Sequence, residues 1–224
     1  METIVTIAIA VAALAVAMLL NTRHRGSGLY RSTFYAPSLI GASVSIAIVW
    51  RTMFMNDGAM DRLSQMVGFD GGGWVGDPSR TMPMFILLAV WQFGAPMVIF
   101  LAGLKQIPST LYEAAAVDGA GPVPRFFKIT LPMLSPVLFF NLLLETINSF
   151  QIFASAYIIS GGSGGPAGST LFYTLYLYIR GFENFRMGYA SAMAWLLVLV
   201  VGLITWVFFK TSKSWVFYYG GESK

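Results

Sequence analysis

Asn141, Glu145, Asn148 and Ser149 fall at i, i+4, i+7 and i+8, the spacing that puts four polar groups on one face of a helix. The run that carries them, Leu134–Phe153, is otherwise mostly apolar. A charge at mid-bilayer costs on the order of 2.5–3.5 kcal/mol on insertion scales, so Glu145 must face other helices or a wet cavity rather than lipid. Two readings of this face stand: hydrogen bonding between helices, or the wall of a cavity. A second set lies in Met82–Leu104, where Trp91, Gln92 and Phe93 adjoin Gly94 and Pro96, residues that break or kink a helix. Each aromatic taken singly fits packing or lipid contact better than a cavity role.

Other chemistry is excluded by the inventory. His24 is the single histidine and stands between Arg23 and Arg25, so a Ser-His-Asp arrangement has no plausible cleft and a lipid-facing role suits it better. The chain has no cysteine, hence no disulfide, thiolate nucleophile or thiolate metal ligand, and its carboxylates do not cluster as metal ligands would. Gly71, Gly73 and Gly76 match G-x-G-x-x-G by letter, but no strand precedes them and no helix pattern follows. No phosphate-binding P-loop occurs, so ATP is not expected on this chain.

The elements that position these residues are set by composition. Of 224 residues, 56% are hydrophobic and only 11% charged, with a mean hydropathy of +0.68. A soluble domain carries about 25% charged residues. A cytosolic enzyme, a disordered tail and a collagen-like fibre are therefore excluded, and a polytopic all-α membrane protein remains. The net charge of +4 is too small to point to nucleic acid. Five apolar runs are long enough to span: Ile4–Leu20, Ala36–Met55, Met82–Leu104, Leu134–Phe153 and Ala190–Phe209. Basic residues follow the first run rather than precede it, unlike a signal peptide. Arg23, Arg25 and Arg31, then Lys105, Arg125 and Lys128, then Lys210, Lys213 and Lys224 mark cytoplasmic segments. The acidic loop Asn56–Thr81, with Asp57, Asp61, Asp70 and Asp77, and the glycine-rich loop after Phe153 fall outside. The expected topology is N-terminus out, C-terminus in. Ala59–Val67 and Leu171–Arg180 read as short interfacial or re-entrant helices on the outer side.

The cytoplasmic segment 105–130 is more than a connector. Pro108 ends the preceding helix, Thr110 and Glu113 form a capping-box pattern, and Leu111–Asp118 is rich in helix-favouring alanine. Gly119 suits a left-handed C-cap, Gly121-Pro122 a turn, and Val123–Thr130 a second short helix leading to Pro132. On these residues alone, a compact hairpin and an ordinary capped loop are both open.

The stretch LYEAAAVDGAGPVPRFFKITLPMLSP, Leu111–Pro136, resembles the EAA motif of inner-membrane permease subunits of binding-protein-dependent ABC importers. The matching positions are Glu113, Ala114, Ala115, Asp118, Gly119, Ala120, Phe126, Ile129, Leu131 and Pro132. Ile107-Pro108, Gly161–Thr170 and Met187–Trp195 extend the resemblance, on the carbohydrate-uptake side of the family. It implies a type I ABC importer permease fold, a single transmembrane domain over 1–224 with five membrane helices and a coupling hairpin at 109–131. It also implies that an additional N-terminal helix usual in the family is missing. Glu113, Ala114, Ala115, Asp118, Gly119 and Ala120 would form the knob that docks on a separate ATPase subunit, moving with it as a rigid body. The implied partners are two ATPase subunits that hold ATP and Mg, a second homologous permease, an extracytoplasmic solute-binding protein and membrane lipid. Trp91, Gln92, Glu145, Asn148 and Gln151 would contact a sugar, which needs hydrogen-bonding groups for its hydroxyls and an aromatic face for its ring. Alternatives are an ABC permease for a polyol, a glycerol phosphodiester or an amino acid, and an ion-coupled carrier using Glu145.

Overall fold

The computed structural model describes residues 2–21, 27–41, 44–68 and 73–217. His24, Arg23, Arg25, Asp70, Gly71 and Lys224, on which parts of the sequence reading rest, lie outside the described residues.

The chain opens with α1 (Glu2–Leu20), α2 (Ser27–Gly41) and α3 (Val44–Phe54), followed by a short α4 (Ala59–Met66) in the acidic loop. Asp61 on α4 is 2% exposed. Its carboxylate accepts the backbone N–H groups of Asp57 (3.1 Å) and Gly73 (3.4 Å), so this acid organises the loop instead of facing water. Next come α5 (Pro78–Trp91) and α6 (Gly94–Gln106). Asp77 caps α5: its Oδ1 accepts the Ser79 N–H at 2.8 Å and the Ser79 hydroxyl at 2.7 Å, while Pro78 takes the first helical position, where no N–H is needed. The two helices meet at a bend of 43°. Pro96 has no N–H for the Gln92 carbonyl one turn back, so the expected interruption falls at Gln92–Phe93. Gly94 has a second duty there, because a Cβ would collide with the Phe34 carbonyl oxygen of α2.

The hairpin follows as α7 (Ser109–Val117) and α8 (Pro122–Arg125), then a π-helical turn, Phe126–Thr130, and α9 (Leu131–Phe150). The sequence predicts α8 and the fourth span as separate helices. The structure joins them into one 29-residue helix, Pro122–Phe150. The π-turn accommodates the junction: Leu131 N–H donates to the Phe126 carbonyl five residues back, just ahead of Pro132, which has no N–H to place. On the outer side stand α10 (Ala154–Ser160) and α11 (Tyr173–Tyr178), the latter running into a second π-turn, Ile179–Glu183. The last helix, α12 (Met187–Trp215), is longer than the predicted Ala190–Phe209. Its far end is held by Phe139 of α9, whose ring contacts Phe208, Phe209 and Trp215, and by the Phe217 N–H donating to Ser135 Oγ at 2.7 Å.

Pro122–Phe150 and Met187–Trp215 are each long and apolar enough to cross a membrane unbroken. The pairs Gly28–Ile40 with Val44–Met66 and Pro78–Trp91 with Gly94–Gln106 are long and apolar enough only when each bent pair is taken as one span, and the apolar Thr6–Leu20 is shorter. Two apolar clusters hold the bundle. One gathers Ala13, Ala17, Met97, Phe100, Leu104 and Leu134 toward the hairpin. The other gathers Trp50, Phe54, Met84, Leu88, Ala156 and Ile159 toward α10. The α5–α6 bend lies between them.

Candidate functional site

The first half of the site is the hairpin. No residue of α7 or α8 is buried. Glu113, Ala114 and Asp118 are exposed, Ala115 and Ala120 half-buried, and neither acid carries an ion pair among the described residues. The capping box is absent. Pro108 occupies the N-cap position without a side-chain cap bond, so Thr110 already lies inside the helix, where its hydroxyl cannot cap the first turn. The other end is as the sequence predicts. Gly119 has φ +73°, its N–H donates to the Ala116 carbonyl (3.1 Å), and Ala120 N–H donates to the Ala115 carbonyl (2.9 Å). This pair of bonds is a Schellman closure, and it turns the chain back at a fixed angle. Along the same segment Val117 (89% exposed), Val123 and Phe127 are exposed apolar side chains.

The second half is a cavity of about 460 Å³ at the bend between α5 and α6. Gln92, Glu145, Asn148 and Gln151 line it, with Ser149, Ser155 and Ser38, and Phe85 and Phe153 supply aromatic surface. Gln92, Glu145, Asn148 and Gln151 make no side-chain hydrogen bond to the protein among the described residues, so their donors and acceptors remain for whatever enters. Trp91 is not with them. Its ring packs against Trp50 at 5.6 Å in the second apolar cluster, because the bend after it turns Gln92, not Trp91, toward the cavity. The four-residue polar face also divides. Asn141 is 2% exposed and donates from Nδ2 to the Val137 carbonyl at 3.1 Å, a bond within its own helix. Ser149 lines the cavity, yet its hydroxyl donates to the Thr146 carbonyl at 2.7 Å.

Sequence reasoning missed Ser38, Ser155, Phe85 and Phe153, which no spacing distinguishes from packing residues. It also passed over Arg51, a lone cation inside the second apolar run. Arg51 Nη1 donates to the Ile158 carbonyl at 3.2 Å, near the carbonyl end of α10, and so fastens the helix that contributes Ala154 and Ser155 to the cavity. An arginine amid apolar residues demands a partner, and that was the available signal.

Residues 1–216 match the family described as binding-protein-dependent transport system inner membrane component. The chain belongs to that family. This permease is 55% identical over 213 residues to the probable ABC transporter permease protein YesP of Bacillus subtilis (strain 168), covering 95% of this chain and 68% of YesP. It is 34% identical over 213 residues to the lactose transport system permease protein LacF of Rhizobium radiobacter, covering 93% of this chain and 71% of LacF. In fold, the permease resembles a chain of the bacterial alginate ABC transporter solved with an alginate pentasaccharide-bound periplasmic protein. The TM-score is 0.78 at 20% identity, over 93% of this chain and 76% of that one. The fold is that of a type I ABC importer permease, and the chain is a membrane transport subunit.

Proposed function

We propose that this permease carries a sugar or sugar derivative inward across the cytoplasmic membrane as one subunit of an ATP-driven importer. The observation that carries the reading is the cavity, where Gln92, Glu145, Asn148 and Gln151 lack protein partners and stand beside Phe85 and Phe153. Hydrogen-bonding groups next to aromatic surface complement a ring that is polar at its edge and apolar on its face. LacF, named for lactose transport, supports the same substrate class. In this reading the exposed hairpin takes a separate ATPase subunit. Glu113 and Asp118 supply charge, Ala114, Ala115 and Ala120 allow close approach, and Gly119 fixes the turn. Two such ATPases hold ATP and Mg, and a second permease of the same family completes the channel. A solute-binding protein delivers the sugar from the outer side, as the periplasmic protein seen with the alginate transporter suggests. The five apolar runs span the bilayer with the N-terminus outside and the C-terminus in the cytoplasm.

Uptake of radiolabelled sugars into proteoliposomes that hold the permease with these partners tests the reading. ATP inside the vesicles should be required, and a neutral saccharide should compete better than an amino acid. Uptake driven by a proton gradient without ATP would sink it.

A further inference from the structure

The hairpin touches the body of the permease through a narrow contact. Leu111 and Tyr112 of α7 and Ile129 of the π-turn pack against the first apolar cluster, while at the tip Gly119 is exposed and faces open space. Within that contact the Tyr112 hydroxyl and Thr130 Oγ1 lie 2.9 Å apart. Thr130 is 7% exposed, and its hydroxyl also lies 3.5 Å from the Arg125 carbonyl; either hydroxyl can donate in the Tyr112–Thr130 pair. Among the described residues this is the one side-chain hydrogen bond that ties α7 to another element. It bridges the first arm of the hairpin to the last residue of the π-turn, the point from which α9 runs to Glu145 and Asn148.

We infer that Tyr112 and Thr130 are positioning residues that lock the hairpin to α9, so that displacement of the hairpin reaches the cavity wall instead of being absorbed in the π-turn. A π-turn carries one residue more than a regular turn and is a natural place for a helix to yield. The bond is part-buried, with Thr130 beneath the surface and Tyr112 half-buried beside the first apolar cluster, and in such a partly desolvated setting it is stronger than in open water, which holds the two arms at a fixed separation. The inference rests on the importer reading and adds to it the part that joins its two halves.

The test uses the complete importer in proteoliposomes and compares Tyr112→Phe, Thr130→Val and Thr130→Ser. Tyr112→Phe and Thr130→Val should lower the sugar moved per ATP hydrolysed by about 2- to 10-fold, the range set by one net hydrogen bond. ATP hydrolysis itself should stay within about twofold of wild type, because the docking surface is untouched. Thr130→Ser, which keeps the hydroxyl, should retain coupling, and the double variant Y112F/T130V should do no worse than either single change. The chain has no cysteine, so spin labels at Val117→Cys and Leu144→Cys report the hairpin-to-α9 distance alone, and that distribution should broaden in Y112F but not in T130S. Unchanged sugar per ATP in Y112F overturns the inference. So does a loss of transport and hydrolysis in equal proportion, which would mean the hydroxyls serve assembly only. If wild-type uptake proves independent of ATP, the importer reading fails instead, and the label distances still show whether the two arms are locked.

Discussion

The hairpin and the cavity sit at opposite ends of one helix, Pro122–Phe150, and they expose their chemistry in opposite ways. At the hairpin, Glu113, Asp118 and Val117 stand out in the open on a backbone fixed by Gly119. At the cavity, Gln92 and Glu145 are half-buried, and the fixed part is the surrounding wall. A surface built for another protein needs a rigid shape and free edges. A surface built for a small solute needs unpaired polar groups inside a frame. In the proposed reading the same chain meets both demands by leaving different atoms unsatisfied.

The largest expected effect breaks the hairpin side. Glu113→Ala combined with Gly119→Val should reduce uptake about thirtyfold, the scale of losing an interface hot spot. Gly119 sits at φ +73°, where a branched side chain costs about 1–2 kcal/mol of backbone strain, although a Cβ there meets no neighbour. Quantitative blotting of the membrane fraction should show normal insertion; full uptake by this double variant would disprove the docking role.

A smaller effect sharpens the cavity side. Glu145→Leu should weaken sugar competition about tenfold while ATP hydrolysis persists, whereas Trp91→Leu should leave competition unchanged. Trp91 is braced against Trp50, so its loss should appear instead as about 1–2 kcal/mol less stability in thermal unfolding. Reversed outcomes, with Trp91→Leu altering sugar preference and Glu145→Leu silent, would return Trp91 to the cavity.

The smallest effect belongs to neither end and serves as a control. The Ser79 hydroxyl and N–H, aided by Arg80, hold the Asp77 carboxyl below its ordinary range. The folded-state value is the depressed one, so the cap is fully present above the ordinary carboxylate range and fades as pH falls through the lowered value. The protection of the Ser79 amide, measured against its intrinsic exchange rate at each pH, should fall only in that acidic window, with uptake at neutral pH unaffected by Asp77→Asn.

The two ends also differ in how well the sequence discloses them. The hairpin is encoded locally: alanines favour the helix, Gly119 ends it, and every contact that shapes the turn lies within five residues. Only the capping box misleads, because Pro108 starts the helix before Thr110. The bend at Gln92 is local too, since Pro96 lacks an N–H. The direction in which Trp91 faces is not local, because it depends on α3 bringing Trp50 alongside. Asn141 shows the same limit. Its spacing is right for the cavity, but the Val137 carbonyl one turn back satisfies it first. The π-turn at Phe126–Thr130 has no side-chain pattern at all, and it decides that hairpin and span are one helix.

The continuity of Pro122–Phe150 sets a length scale. Its 29 residues, at about 1.5 Å each, make a rod about 43 Å long. A tilt of about ten degrees about the midpoint carries each end through about 4 Å. A displacement of that size at Asn148 exceeds the length of a hydrogen bond, so sugar contacts on one side of the stroke would be out of reach on the other.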